Sequence, residues 1–306
     1  METSISVKES IEIATDLIAS RKIDISDIQT VCLALGPYRN LTTLTASILF
    51  LHPNCQVLNH AGSRIFGNKQ LDFIANYSKE RFETFIQYAI HISQKGRRGD
   101  YGGSITHSHA FDSQYLMKDI FYTAKPDLLK QDVTALFWKE SLRASNHLRL
   151  HKVDLDGLFK LNRQLKFLMP IRNPLDCAIS NLKTGKANIF QSIENNSGVE
   201  QVLASILEEI LWFKNFETHH PERFFCFFEH DFNEDTIIRM ADFLQLDPLE
   251  DWCANALAAF DVKSKYIHPP NLISFFRQRV ENQFSDYPDF AEKLLCFGKD
   301  QPVKSL

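Results

Sequence analysis

VCLALGPYRNLTTLTASILFLHPNCQVLNHAG, residues 31 to 62, is the stretch from which the fold of this chain is read. Its apolar run from Val31 to Leu35 has the length of a buried parallel strand, breaks at Gly36 and Pro37, and gives way to a helix-compatible segment from Thr42 to Leu51. A strand, a turn and a helix in that order bring the free N–H groups of the first helical turn to the carboxyl edge of a sheet, where they attract anions. Arg39 adds a fixed positive charge and Thr42 and Thr43 add hydroxyl donors, so the turn suits phosphate or sulfate. An ordinary strand-to-helix turn capped by Thr is the competing reading. The spacing is not the G-x-x-x-x-G-K-[ST] loop of nucleoside triphosphatases.

A second stretch has the same grammar. In LKFLMPIRNPLDCAISNLKTG, residues 165 to 185, an apolar strand from Leu165 to Ile171 ends in Arg172-Asn173-Pro174 and passes into a helix through Leu175 and Asp176. Arg172 stands at the strand end and Ser180 inside the following helix, so both can converge on one anion.

With these residues in place, the chain resembles the sulfotransferases that use 3′-phosphoadenosine 5′-phosphosulfate (PAPS). In that family a strand–loop–helix binds the 5′-phosphosulfate, and a later strand followed by R-[DN]-P-x-[DE]-x-x-x-S binds the 3′-phosphate. Pro37, Arg39, Asn40, Leu41, Thr42, Thr43 and Leu44 are set against the first motif; Arg172, Asn173, Pro174, Asp176 and Ser180 match the second. The resemblance covers roughly residues 30 to 250. It departs at Leu41, where the family loop carries Gly and where a side chain crowds the backbone approach or changes the local φ.

The resemblance implies a three-layer α/β/α, P-loop-like sulfotransferase fold with a central parallel sheet. One domain is expected over residues 1 to 306, with a nucleotide-binding core of about 30 to 250 and a C-terminal helical or loop segment from 251 to 306. At 306 residues and 44% hydrophobic content the chain can bury a large core. The net charge of -4 gives no global attraction to nucleic acid or to an anionic membrane, so an anion site must be a local cluster. Six scattered cysteines without a C-x-x-C pair fit reduced thiols. The N-terminal segment has neither a signal-peptide pattern nor a membrane span, and a cytoplasmic location is expected.

Residues 6 to 20 have helical spacing, with Ile11, Ile13, Ala14, Leu17 and Ile18 on an apolar face. Cys55 to Leu58 reads as a strand leading to Asn59 and His60, at the place where the family's strand ends in a catalytic carboxylate. The imidazole of His60 suits general-base work; a histidine hydrogen-bonded at a strand end is the alternative. Residues 68 to 98 read as one or two helices, followed by a Gly-rich connection suited to a mobile lid or acceptor loop. His107 and His109 in SITHSHAF face one cavity if that segment is a strand, as acceptor-site residues or a two-histidine metal pair.

Val133 to Trp138 is a further strand ending in Lys139 and Glu140. Lys139 is a candidate contact for sulfate or acceptor and Glu140 a second candidate base, against the alternative of a surface ion pair. Lys183, Thr184 and Lys186, and more weakly Lys263, Lys265, Arg277 and Arg279, are candidate additions to the 3′-phosphate pocket. A long helix over 198 to 218, a strand from Phe224 to Phe228 and a following helix complete the core.

The implied reaction is transfer of the sulfuryl group from PAPS to a hydroxyl, less readily an amine, of a small-molecule, carbohydrate or peptide acceptor, leaving 3′-phosphoadenosine 5′-phosphate (PAP). Arg39 would stabilise charge, Thr42 and Thr43 hold the 5′-phosphate, Arg172 and Ser180 the 3′-phosphate, and His60 deprotonate the acceptor. No metal ligand set is assigned, and no nucleic-acid partner. A phosphate-transferring P-loop enzyme is one rival, though the loop Lys is missing; a non-catalytic binding protein of the same fold is another.

Overall fold

The computed structural model describes residues 6–99, 101–194, 197–264 and 266–298. Helix α1 (Val7–Ser20) opens with a capping box, Ser6 accepting from the Glu9 N–H while the Glu9 carboxylate accepts from the Ser6 N–H. Strand β1 (Thr30–Ala34) then leads through the loop to α2 (Thr42–Leu51), β2 (Cys55–Asn59) and the short α3 (Gly62–Ile65). After α4 (Lys79–Ile92) come two short strands, β3 (Gly96–Arg97) and β4 (Gly102–Ser104), then α5 (Leu116–Ala124) and β5 (Ala135–Lys139). The rest alternates: α6 (Leu142–Leu150), α7 (Leu155–Leu161), β6 (Leu165–Ile171), α8 (Pro174–Lys183), α9 (Val199–His219), β7 (Phe224–Phe228), α10 (Glu234–Leu244) and α11 (Glu250–Ala259). Helices α12 (Pro270–Gln283) and α13 (Pro288–Leu295) close the described chain.

The strands form one sheet in the order β3-β4-β2-β5-β1-β6-β7. From β2 to β7 every neighbouring pair is parallel, and β1 lies between β5 and β6. Alternate residues of β1 feed two separate cores: Val31 and Leu33 join Trp138 and Phe167 on one face, Cys32 and Ala34 join Phe137 and Leu168 on the other. Helices α2, α5, α10 and α11 cover the second face; α4, α8 and α9 cover the first. Both faces being covered, β1, β2 and β5 are buried at every residue, which explains continuous apolar runs in place of alternation. The architecture is the expected three-layer α/β/α. No helix among the described residues is long and apolar enough to cross a membrane.

The expectations need correction on the β3–β4 side. The sheet is mixed, because β4 pairs antiparallel with β2 and β3 with β4, so the Gly-rich connection is partly an edge hairpin. Glycine permits the pairing: a Cβ on Gly96 would stand 2.0 Å from the Gly102 carbonyl, and one on Gly103 2.0 Å from that of Lys95. The segment read as a strand with His107 and His109 is two 3₁₀ turns, Ile105–His107 and His109–Phe111, because Ser104 caps the first by accepting from the Thr106 N–H at 3.3 Å. Residues 68 to 78 are turns and not helix, since the Asn68 side chain accepts from the Gln70 and Leu71 N–H groups at 2.9 and 3.3 Å.

Candidate active site

The loop between β1 and α2 is held from below by the second motif. Asn40 bridges the two, its amide nitrogen donating to the Pro170 carbonyl and its amide oxygen accepting from the Arg172 N–H at 2.9 Å. The Tyr38 carbonyl accepts from Asn181 Nδ2 at 2.8 Å and from the Cys177 thiol at 3.0 Å, both on α8. Arg39 Nε donates to Ser180 Oγ at 2.9 Å. The two stretches that carry the resemblance are therefore one structural unit.

The loop backbone is strained at two positions. Arg39 and Leu41 both adopt left-handed conformations, φ 66° and 61°. Left-handed residues between right-handed ones turn backbone N–H groups into a concavity. Leu41 is also the N-cap of α2 and makes no side-chain cap bond, so the first N–H groups of that ten-residue helix are available to an anion. Leu41 thus takes the left-handed φ that Gly adopts without cost, at a strain of about 1–2 kcal/mol for a residue with a Cβ.

Arg172 extends from the end of β6, its guanidinium 3.3 Å from the Asp176 carboxylate and in weak contact, 3.5 Å, with the Arg39 carbonyl. Asp176 also accepts from Ser264 Oγ at 2.8 Å and lies 2.9 Å from His268 Nε2, which ties Ser264 and His268 to α8. Behind Arg172, the Glu229 carboxyl at the end of β7 is pushed up to about 7 by burial, against the opposing Asn173 N–H and Arg172 charge.

On the other side of the loop, β2 and β5 end together. His60 and Ala61 are left-handed, φ 57° and 75°, and Ser141 has φ 60° and ψ -123°. Lys139 Nζ lies 3.0 Å from His60 Nε2. His60 Nδ1, on the other side of the ring, is 3.9 Å from the Glu140 carboxylate. Trp138 Nε1 donates to the His60 carbonyl at 2.6 Å and fixes the backbone. Glu140 is fully buried, accepts from the Gly62 N–H at 3.0 Å and lies 3.9 Å from Arg143.

All of this opens on one cavity of about 350 Å³, lined by Arg39 and Leu41 to Leu44, by His60 and Lys139, and by Arg172, Thr184 and Lys186. Glu140 has no surface on the cavity: it supports His60 and Gly62 from beneath. Pro37 and Ser180 are likewise buried, Ser180 being reached through Arg39. His107 and His109 line the same cavity despite the missing strand. His109 is held below the usual imidazole range, first by desolvation and then by the charges of Arg39, Lys139 and Arg98.

Arg143 and Arg98 also line the cavity. Arg98 pairs in bidentate fashion with Asp112, both contacts 3.0 Å. Arg143 went unnoticed, since nothing in the sequence announces that the helix after Glu140 turns its first arginine inward. The C-terminal basic candidates go elsewhere: Lys263 pairs with Asp261 at 2.8 Å, Arg277 donates to the Gly298 carbonyl, and Arg279 lies over the Phe275 ring. Lys183 lies over Tyr266, and Lys265 falls outside the described residues.

No family model and no curated protein matches the chain. Three solved sulfotransferase structures are similar to it. Mouse sulfotransferase SULT7A1 complexed with PAP is 9% identical, with 95% of this chain and 93% of that one covered and a TM-score of 0.44. Sulfotransferase STF9 from Mycobacterium avium is 11% identical over 92% and 81% of the two chains, also at 0.44. The sulfotransferase domain of the Synechococcus PCC 7002 olefin synthase is 15% identical over 92% and 98%, at 0.39. These are loose superpositions, and the chemistry of the site rests on its own side chains.

Proposed function

We propose that this protein is a PAPS-dependent sulfotransferase acting on a hydroxyl acceptor. The observation that carries the reading is the meeting of two anion-binding motifs on one cavity, with Arg39 bonded to Ser180 and Asn40 bonded to the Arg172 backbone. A nucleotide with anionic groups at both its 5′ and 3′ ends needs two such sites a few ångströms apart. The uncapped α2 terminus and the left-handed loop fit the 5′-phosphosulfate; Arg172, beside an Arg39 held by Ser180, fits the 3′-phosphate.

Bound PAPS supplies an activated sulfuryl group whose bond to the phosphate oxygen breaks as the acceptor oxygen bonds to sulfur. The residues of the chain position and neutralise. Arg39 and the loop N–H groups hold the oxygens that gain charge, which stabilises the transition state more than the ground state. His60 Nε2 accepts the acceptor's hydroxyl proton once Lys139 has swung from the imidazole to the sulfuryl oxygens. Glu140, beneath the ring, stabilises the Nδ1–H and the imidazolium that forms.

PAPS labelled in its sulfuryl group, incubated with sugar, lipid, phenol and peptide hydroxyl acceptors, tests the activity. Transfer of label by the wild type and its loss in His60→Ala is the expected result. PAPS binding without transfer to any acceptor class would instead identify a non-catalytic binding protein.

A further inference from the structure

Asp72, His147 and His151 form a cluster that the proposed reaction does not use. One ligating atom from each lies within 4.8 Å of the others. His147 and His151 are one helical turn apart at the end of α6, with ring centroids 4.4 Å apart. Asp72 comes from the turn before α4, its carboxylate oxygens 2.9 and 3.1 Å from His147 Nε2. Asp72 and His147 are buried and His151 is exposed, which gives an ion a way in.

The support around these ligands is already built. The Asp72 carboxylate accepts from the Gly67 N–H at 2.7 Å and the Ala75 N–H at 3.1 Å, so its orientation is fixed by backbone. The His147 ring stacks on Phe66 at 4.2 Å, and Phe66 in turn packs against Trp138. At metal–ligand bonds of about 2.0–2.2 Å, tetrahedral ligand atoms stand about 3.3 Å apart. The His147–Asp72 separation is within a few tenths of an ångström of that edge, and His151 has only to turn its exposed ring.

We propose that Asp72, His147 and His151 bind a divalent first-row transition ion, of which Zn²⁺ is the borderline-soft type suited to two imidazoles and a carboxylate, with water in the remaining position. The ion replaces the proton that His147 Nε2 directs at Asp72, and that proton leaves to solvent. It staples the turn that follows His60 and α3 to helix α6, whose Arg143 lines the candidate active site. This assignment is independent of the sulfotransferase reading.

The test is Zn²⁺ titration of the chelator-stripped protein against a chromophoric competitor, with Co²⁺ as a spectroscopic probe. One equivalent should bind at micromolar metal or tighter, and Co²⁺ should give the strong visible bands of a four-coordinate site. His151→Ala, at an exposed position that the fold does not need, should weaken that equivalent at least about tenfold. The double variant His107→Ala/His109→Ala should leave it intact. Asp72→Asn reports the same loss if it folds. The assignment is overturned if His151→Ala binds as the wild type does, if the equivalent vanishes with His107 and His109, or if nothing binds at micromolar metal.

Discussion

Arg39 Nε donates to Ser180 Oγ at 2.9 Å, a bond between residues 141 positions apart that closes the β1–α2 loop onto helix α8. In the proposed reading Ser180 thereby holds Arg39 toward the phosphates of the nucleotide. Removing either leaves the other misdirected, so their contributions to PAP binding should not add. Arg39→Ala and Ser180→Ala are each expected to cost about 1–3 kcal/mol of binding, and the double variant at least about 0.5 kcal/mol less than the sum. Calorimetry on the four proteins of the cycle measures this, and strict additivity would contradict the coupling.

His60, Lys139 and Glu140 predict a graded kinetic pattern. His60→Ala should lower kcat by about 10²–10⁴ with little change in the KM for PAPS, the usual worth of a positioned general base. Glu140→Gln preserves shape but removes the charge under the imidazole; as a positioning change it should cost roughly tenfold, well short of His60→Ala. If Glu140→Gln proved as damaging as His60→Ala, a merely positioning role for Glu140 would be ruled out.

Leu41 predicts a stabilising substitution. Leu41→Gly relieves a left-handed φ of 61° without disturbing a cap bond, since none is made. Folding stability should rise by about 1 kcal/mol. PAP should also bind more tightly, because a side chain leaves the mouth of the cavity. A lowered denaturation midpoint in urea would show that Leu41 contributes packing worth more than the strain.

Glu229 predicts a pH dependence. Burial raises its folded pKa to about 7, above the ordinary carboxyl value, so the proton is bound more tightly in the folded state than in the unfolded one. The associated stability is complete below the unfolded pKa, about 4.5, and is lost as pH rises through about 7. Between pH 5 and 8 the wild type should lose on the order of 1–3 kcal/mol relative to Glu229→Gln. Urea denaturation of both proteins at the two pH values measures it; parallel curves would rule out the shift. Ionised Glu229 also competes for Arg172, so PAP affinity should fall over the same range in the wild type and stay flatter in the variant.

The parts of the fold legible in the sequence were those where apolar runs meet Gly or Pro. The strand from 165 to 171 and the helices beginning at Thr42 and after Asn173 have such edges, and their bounds came out as read or within a residue or two. That Arg172 and Ser180 belong to one strand–turn–helix unit was legible too, though not that Ser180 would be buried and bonded to Arg39. Other features were hidden because they depend on contacts that no local pattern encodes. Arg143 lines the cavity from the first turn of α6, a helix entered through a Ser141 backbone conformation that no Ser in sequence advertises. The pairing of β3 with β4 depends on two glycines in register across a hairpin, which a string of glycines does not distinguish from a loose loop. Asp72 and His147 are 75 positions apart, and no motif joins them.

The central claim is that one cavity holds both ends of a 3′,5′-bisphosphorylated nucleotide, and calorimetric titration with PAP tests it most directly. Wild-type protein should bind one equivalent at micromolar concentration, Arg172→Ala and Ser180→Ala should each weaken binding by about tenfold or more, and 5′-AMP should bind no better than those variants bind PAP. Absence of PAP binding by folded wild-type protein, or equal affinity in all three proteins, would contradict the account.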